Sequence, residues 1–307
     1  STSNIPLIIS PQSDDELYKF VINQGGSSNN TTSVGAALAW IATQSNLLAI
    51  NNTLPNIITD GLVLNIDASQ VSSYPTQGTT WYDLSGEGNN GTLTNGPTFN
   101  SSGSITFNGT TQYAQANSVT NNIISSDFTL EAWIKTSSTQ DHKSILSFNT
   151  SGGGNRKLWM VRNAGMGVYD STTWYIGSIN VDDNQWHHVM ATYDYSTKGL
   201  KTYTDGVLDL NVTTNAQINV QASDTANIAM EYDGGSPSDL FYGEIPVVRV
   251  YDKVLSSTEV TQNYNAYLGS YFRPADSALD IMASNPEAGD GRYWINTDLG
   301  PQLLYCI

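Results

Sequence analysis

Two stretches decide the reading of this chain: FTLEAWIK (Phe128–Lys135) and DDNQWHHVMATYD (Asp182–Asp194). In the first, Phe128, Leu130, Ala132 and Ile134 share one parity; Thr129, Glu131, Trp133 and Lys135 share the other. In the second, Trp186, His188, Met190 and Thr192 alternate with His187, Val189, Ala191 and Tyr193. Period-two alternation of β-branched and aromatic residues specifies strands. Successive side chains point to opposite faces, so one face can be buried and the other left wet or half-buried. For the same reason His187 and His188 do not readily share one ligand. Packing and local hydrogen bonds are their expected roles.

Outward from these stretches the texture repeats. Short apolar runs separated by Gly, Asn, Asp and Ser turns begin at Gly61. They predict strands at 62–66, 104–107, 113–116, 143–148, 157–162, 166–169, 173–178, 199–204, 207–210, 226–230 and 240–251. Asp205-Gly206 suits a two-residue type I′ hairpin. So many short strands predict an all-β antiparallel sandwich or jelly roll. Asp252–Gly269 reads as a helix, with Ser256 or Ser257 as its cap and Glu259 in its first turn.

Residues 1–58 differ. Ser13 and Glu16 open one helix, which Gly25-Gly26 ends. Ser33 opens a second, in which Val34, Leu38, Ile41, Ser45 and Leu48 make a short heptad seam. That seam suits an oligomerising helix, and equally an amphipathic helix packed within one protomer. The expected organisation is a helical anchoring segment at 1–58, a sandwich at 59–269 and a C-terminal extension at 270–307 with a short helix at 277–284.

Composition narrows the function. The chain has 307 residues, 12 basic and 28 acidic, a net charge of -16. Phosphate contact needs Lys and Arg, so a general nucleic-acid role is excluded, and anionic membranes are avoided. No apolar run is long enough for a membrane helix. The N-terminus lacks the features of a signal peptide. One cysteine, Cys306, permits no intrachain disulfide.

Residues 61–269 resemble the concanavalin A-like lectin/glucanase superfamily, in its laminin-G-like branch. The resemblance rests on GLVLNIDAS (Gly61–Ser69), TTWYDLSGEGNNGTLTNGPTF (Thr79–Phe99), ITFNGTTQYA (Ile105–Ala114), FTLEAWIK, WHHVMATYD, LKTYTDGVLD (Leu200–Asp209) and GEIPVVRVYDKVLSSTEV (Gly243–Val260). It implies two antiparallel sheets packed face to face, with Trp133, Trp186 and Tyr193 in the core. The block at 79–99 resembles those of tailed-phage virion proteins. GDGRYWINTDLGPQLLYCI (Gly289–Ile307) resembles the opening of fibrinogen-like domains, a DGxYWI strand leading to a YC strand.

Glucanases of this superfamily carry carboxylates alternating along one strand, as acid and nucleophile. No such run occurs here, and Glu131 stands alone in its strand, so no enzyme activity is expected. Many relatives hold a structural calcium ion. Asp83 and Asn89 are the candidate ligands, against a reading in which they only brace a turn. Where relatives carry acidic residues this chain has Pro246, Val247 and Gln112, so no cofactor is expected. The candidate glycan-binding residues are loop aromatics and polar groups: Asn155, Arg156, Tyr169, Asp170, Trp174, Tyr175 and Asp233. Trp174 also fits a half-buried strand position.

The expectation is therefore a virion structural protein, a fibre, appendage or capsid-decorating subunit. It is anchored to other virion proteins through 1–58 and homo-oligomeric, with a trimer the expected state. Its sandwich is exposed at the virion surface and offered to host polysaccharide. The alternative is a carbohydrate-binding adhesin on a bacterial surface.

Overall fold

The computed structural model describes residues 56–138, 140–152, 156–271, 291–297 and 300–306. The helices expected at 13–26, 34–51 and 277–284 lie outside the described residues. The chain divides into two units, Pro55–Ala266 and Ser1–Leu54 with Tyr267–Ile307.

In the first unit the strands run β1 (Leu62–Asp67), β2 (Thr80–Trp81), β3 (Gly91–Thr94), β4 (Thr98–Asn100), β5 (Ser104–Asn108), β6 (Tyr113–Gln115), β7 (Phe128–Lys135), β8 (His142–Asn149) and β9 (Lys157–Arg162). They continue with β10 (Gly165–Tyr169), β11 (Trp174–Ile176), β12 (Trp186–Asp194), β13 (Gly199–Thr204), β14 (Val207–Thr213), β15 (Thr225–Ile228), β16 (Glu231–Asp233), β17 (Ser236–Ser238) and β18 (Tyr242–Tyr251). Helix α1 (Ser257–Tyr271) follows. In the second unit, β19 (Gly291–Thr297) and β20 (Gly300–Cys306) pair as an antiparallel hairpin, with Trp294 opposite Leu303.

The strands form a sandwich of two antiparallel sheets. The first has the order β14-β13-β12-β7-β18-β5-β4, with β1 also paired to β18. The second has the order β11-β10-β9-β8-β15-β6-β3-β2. Between them lies the main core. The apolar parity of β7 (Phe128, Leu130, Ala132, Ile134) meets Ile145, Leu146, Trp159 and Val161 of the second sheet. At the hairpin between β13 and β14, Asp205 and Gly206 take φ of 52° and 75°, the two left-handed positions of a I′ turn.

The other face of β7 is not wet. Leu255 and Val260 pack on Met190, Tyr203 and Tyr251, with Ile57 and Ile58 against them. Trp133 is fully buried there, 5.2 Å from the His188 ring and 5.9 Å from that of Tyr264. Trp133 thus belongs to a second apolar layer under α1, whereas Tyr193 sits in the inter-sheet core. Trp186 is only half-buried, with the Lys135 ammonium 5.7 Å from its ring. It is not a core residue, because β12 starts at the rim of the sheet.

The helix also starts later than its sequence suggests. Tertiary hydrogen bonds hold 252–255 out of it. Asp252 N–H donates to Gly61 O at 2.9 Å, Leu255 N–H donates to Thr129 Oγ1 at 3.0 Å, and that hydroxyl donates to Lys253 O at 2.7 Å. Ser256 then closes a capping box, accepting from Glu259 N–H while its own N–H donates to the Glu259 carboxylate at 2.7 Å. Residues 56–58 pack on the sandwich, with Ile58 N–H donating to Asn263 Oδ1 at 2.8 Å.

Candidate functional site

The outer face of the second sheet follows from the parity of its strands. Register partners on neighbouring strands point to the same side. Arg162 opposes His142 and Gly165, Met160 opposes Gly167, Leu158 opposes Tyr169, and Tyr169 opposes Trp174. All of these lie opposite the core side, which β9 serves with Trp159 and Val161. Leu158 and Met160 are buried on this outer face, outside both apolar clusters.

Three of these residues form an aromatic and cationic stack. The Trp174 ring lies 4.9 Å from the Tyr169 ring, with 27° between the planes. The Arg162 guanidinium carbon is 4.2 Å from the Trp174 ring centre. His142 meets the same indole edge-on at 6.2 Å. Gly167 is what admits the indole. A Cβ there would lie 3.2 Å from Arg162 Cβ and 3.4 Å from the Trp174 ring. Tyr169, Trp174 and Arg162 are all half-buried, so part of each reaches solvent.

Beside the stack, the hairpin β16–β17 lies over β8. A row of polar side chains runs under it. Gln115 Nε2 donates to Asn227 Oδ1 at 2.8 Å, and Asn227 Nδ2 donates to Asn149 Oδ1 at 3.0 Å and Ser147 Oγ at 3.2 Å. Asn149 Nδ2 in turn donates to Tyr232 O at 2.8 Å and to Glu231 at 3.1 Å. Arg156 grips the buried Glu231 carboxylate with two nitrogens and lies 3.8 Å from Asp233, whose side chain is 61% exposed. Burial raises the Asp239 pKa, against the opposing pull of His142 and Arg156.

The structure therefore divides the sequence candidates. Tyr169 and Trp174 join in the stack, and Arg156 and Asp233 join at the hairpin. Asn155 lies outside the described residues. Asp170 is buried and braces its loop. It accepts from the amides of Thr172, Thr173 and Ala216 at 2.9, 2.7 and 2.8 Å, and from the Tyr175 hydroxyl at 3.0 Å. Burial pushes its pKa up, but the Thr172 hydroxyl and these amides outweigh that and hold it below the usual value. Tyr175 points to the core side of β11, packed against the inter-sheet cluster. Neither Asp170 nor Tyr175 offers a free polar group to a ligand.

Asp83 and Asn89 do not suit a cation. The Asp83 carboxylate accepts from the amides of Asn65, Ser85 and Asn89 at 2.8, 2.9 and 2.9 Å, and from the Ser85 hydroxyl at 2.7 Å. Asn89 Nδ2 donates to Val63 O at 2.7 Å. Hydrogen donors converge where a calcium ion would need bare oxygens. Among the described residues no group of three His, Cys, Asp or Glu side chains is arranged to hold a metal.

Sequence reading missed one site-like cluster, centred on Glu131. This fully buried carboxylate accepts from Arg249 Nη1 at 2.6 Å and Asn263 Nδ2 at 2.7 Å, and pairs with His188 Nε2 at 3.2 Å. Burial pushes its pKa up, yet the Arg249 charge and the bonds from His188 and Asn263 prevail and hold it at about 2. All four side chains are sealed beneath α1, so the cluster fastens the helix and cannot meet a substrate. Glu131 and Arg249 are 118 residues apart, a pairing that no local spacing reveals.

With this geometry in hand the relatives are interpretable. A laminin-G-like family model, described as the concanavalin A-like lectin/glucanases superfamily, matches residues 108–261. The chain belongs to that superfamily. No curated protein matches the sequence. Among solved structures, the receptor-binding domain of botulinum neurotoxin C/D mosaic serotype is similar at a TM-score of 0.53 with 14% identity, over 69% of this chain and 52% of that one. A Trypanosoma rangeli sialidase, complexed with a difluorosialic acid, gives a TM-score of 0.50 with 15% identity, over 76% of this chain and 40% of that one. Domain 4 of an arabinanase from Geobacillus stearothermophilus, complexed with arabinotriose, gives 0.47 with 18% identity, over 66% and 98%. At these identities the likeness is one of fold.

Proposed function

We propose that this chain is a non-enzymatic virion structural protein, a fibre, appendage or capsid-decorating subunit, whose sandwich binds host-surface glycan. The glycan half rests on one observation. Tyr169, Trp174 and Arg162 are stacked on the outer face of the second sheet, at its β11 edge, with part of each side chain in solvent. Sugar rings have apolar faces that pack on aromatic side chains, while fixed polar groups orient the hydroxyls. Arg156 and Asp233 supply such groups beside the stack.

The chemistry of the acids supports binding without turnover. Glycoside hydrolysis needs two carboxyl groups that can reach the bond or a water. Glu231 is buried and gripped by Arg156, and Glu131 is sealed under α1. The outer strand positions under the β16–β17 hairpin carry Gln115, Asn227 and Ser147, none of them an acid.

Two measurements test the reading. Glycan-array binding by the full chain should fall roughly 5- to 150-fold in Trp174→Ala and in Tyr169→Ala, since stacking and apolar contact contribute on the order of 1–3 kcal/mol. The array sugars should come back uncleaved. A silent array sinks the glycan reading. Absence of the chain from purified virus particles, tested by mass spectrometry, sinks the virion reading.

A further inference from the structure

We propose that the glycan bound at this face is acidic, and that Arg162 receives its carboxylate; the inference rests on the glycan-binding reading above. The motivating feature is an arginine without an acid. In this acidic chain Arg156, Arg249, Lys143, Lys157 and Lys253 each have a carboxylate oxygen within 4 Å. Among the described residues Arg162 forms neither a salt bridge nor a side-chain hydrogen bond. Its Nε is buried without a partner. The residue is half-buried, and its two terminal nitrogens donate to no described residue.

Two neighbouring acids are committed elsewhere. Asp141 accepts from Asn163 N–H at 2.8 Å and faces His142 Nδ1 at 3.6 Å. Asp233 leans on Arg156. The guanidinium is also held in place. It lies against Trp174, whose position over β10 depends on the bare Cα of Gly167. An arginine held over an aromatic ring keeps its fork of N–H donors, and that fork matches the two oxygens of a carboxylate. A pyranose lying beside Tyr169 and Trp174 brings a ring carboxylate within reach of that edge. A neutral sugar would leave the charge unmatched. Ground-state binding is all the arrangement supplies, with no bond made or broken.

The test pairs oligosaccharides carrying uronic or nonulosonic acids with the same molecules after reduction of their carboxyl groups to alcohols. Titration of the full chain should show each recognised acidic sugar binding at least tenfold tighter than its reduced counterpart. That ratio should weaken as salt is raised. Arg162→Gln should bring the two affinities together, and Arg162→Lys, which keeps the charge but loses the fork, should recover only part of the difference. Melting temperatures of both variants, set beside wild type, show that the fold is intact. Equal affinity for acidic and reduced sugars overturns the inference while leaving the glycan reading in place. An unchanged ratio in Arg162→Gln also overturns it. Binding to neither member of any pair removes the glycan reading and this inference together.

Discussion

Glu131 shows how much one buried charge is made to carry. Its carboxylate serves Arg249, His188 and Asn263 at once, and Asn263 also takes Ile58 N–H. Glu131→Gln leaves the Arg249 guanidinium buried without its counter-charge. Breaking such a pair costs about 3–5 kcal/mol, so the urea midpoint should drop accordingly. The pH dependence has a definite sign. The folded pKa of about 2 lies below the ordinary 4.5, so the stabilisation is present above pH 4.5. It is lost as pH falls from there towards 2. Wild type should lose stability across that window, and the Gln variant should lose distinctly less; equal acid slopes would show that Glu131 does not set them. Asp83 makes the opposite case, a carboxylate that looks like an ion ligand and is a brace. Melting temperature should be the same in calcium and in EDTA. Asp83→Ala, which orphans the Asn65, Ser85 and Asn89 amides, should destabilise by about 1–3 kcal/mol.

At the scale of elements, loops are fixed by side chains that reach across strands. His187 sits between two acids, with Nδ1 2.8 Å from Asp205 in the β13–β14 turn and Nε2 3.0 Å from Asp183 in the loop before β12. An imidazole engaged by carboxylates at both nitrogens is best served by two N–H donors, that is, by the charged ring. Burial lowers its pKa, but Asp205 and Asp183 raise it more, so the net direction is upward from 6.5. A raised folded pKa stabilises fully below the unfolded value and loses that contribution as pH rises through the folded value. Wild type should therefore lose stability with rising pH above about 6.5. His187→Asn should flatten that limb, and a slope unchanged by the substitution would count against the clamp. Local sequence told where most strands lie, because alternation over six to ten residues is hard to mistake in β7, β12 and β18. It was silent on β2, β3, β4, β16 and β17, which are two to four residues of mostly Thr, Gly, Asn and Ser. β16 and β17 pair only with each other, whereas β2, β3 and β4 extend the edges of the two sheets, which is tertiary information. The same holds for the stack. Tyr169 and Trp174 were visible as aromatic loop-flanking residues, while Arg162 reads as the polar end of a strand until register places it beside them.

For the whole molecule, the question is which part assembles. The sandwich guards its edges. β11, at the edge of the second sheet, is only three residues long. Asp209 of β14, at the edge of the first, reaches across to accept from Ser178 N–H at 2.8 Å. Short strands and edges bound to other elements resist strand-to-strand addition. The heptad seam Val34–Leu48 carries no such safeguard in its pattern, and a chain of net charge -16 needs apolar contact to overcome its own repulsion. We propose assembly through residues 1–54, with the sandwich as the displayed unit. Light scattering should give an oligomer, with a trimer the expected state, for the full chain, and a monomer for a chain lacking residues 1–54. The shortened chain should keep the same melting temperature and the same glycan binding per protomer, because the face that carries Tyr169, Trp174 and Arg162 is complete within Pro55–Ala266. Multivalent display would then be what the full chain adds, and its apparent affinity for a dense glycan surface should exceed that of the shortened chain by about 10²–10⁴-fold. If the shortened chain remains oligomeric, the seam lies in the sandwich, and the exposed Val207 and Leu208 on β14, 59% and 49% accessible, become the residues to replace.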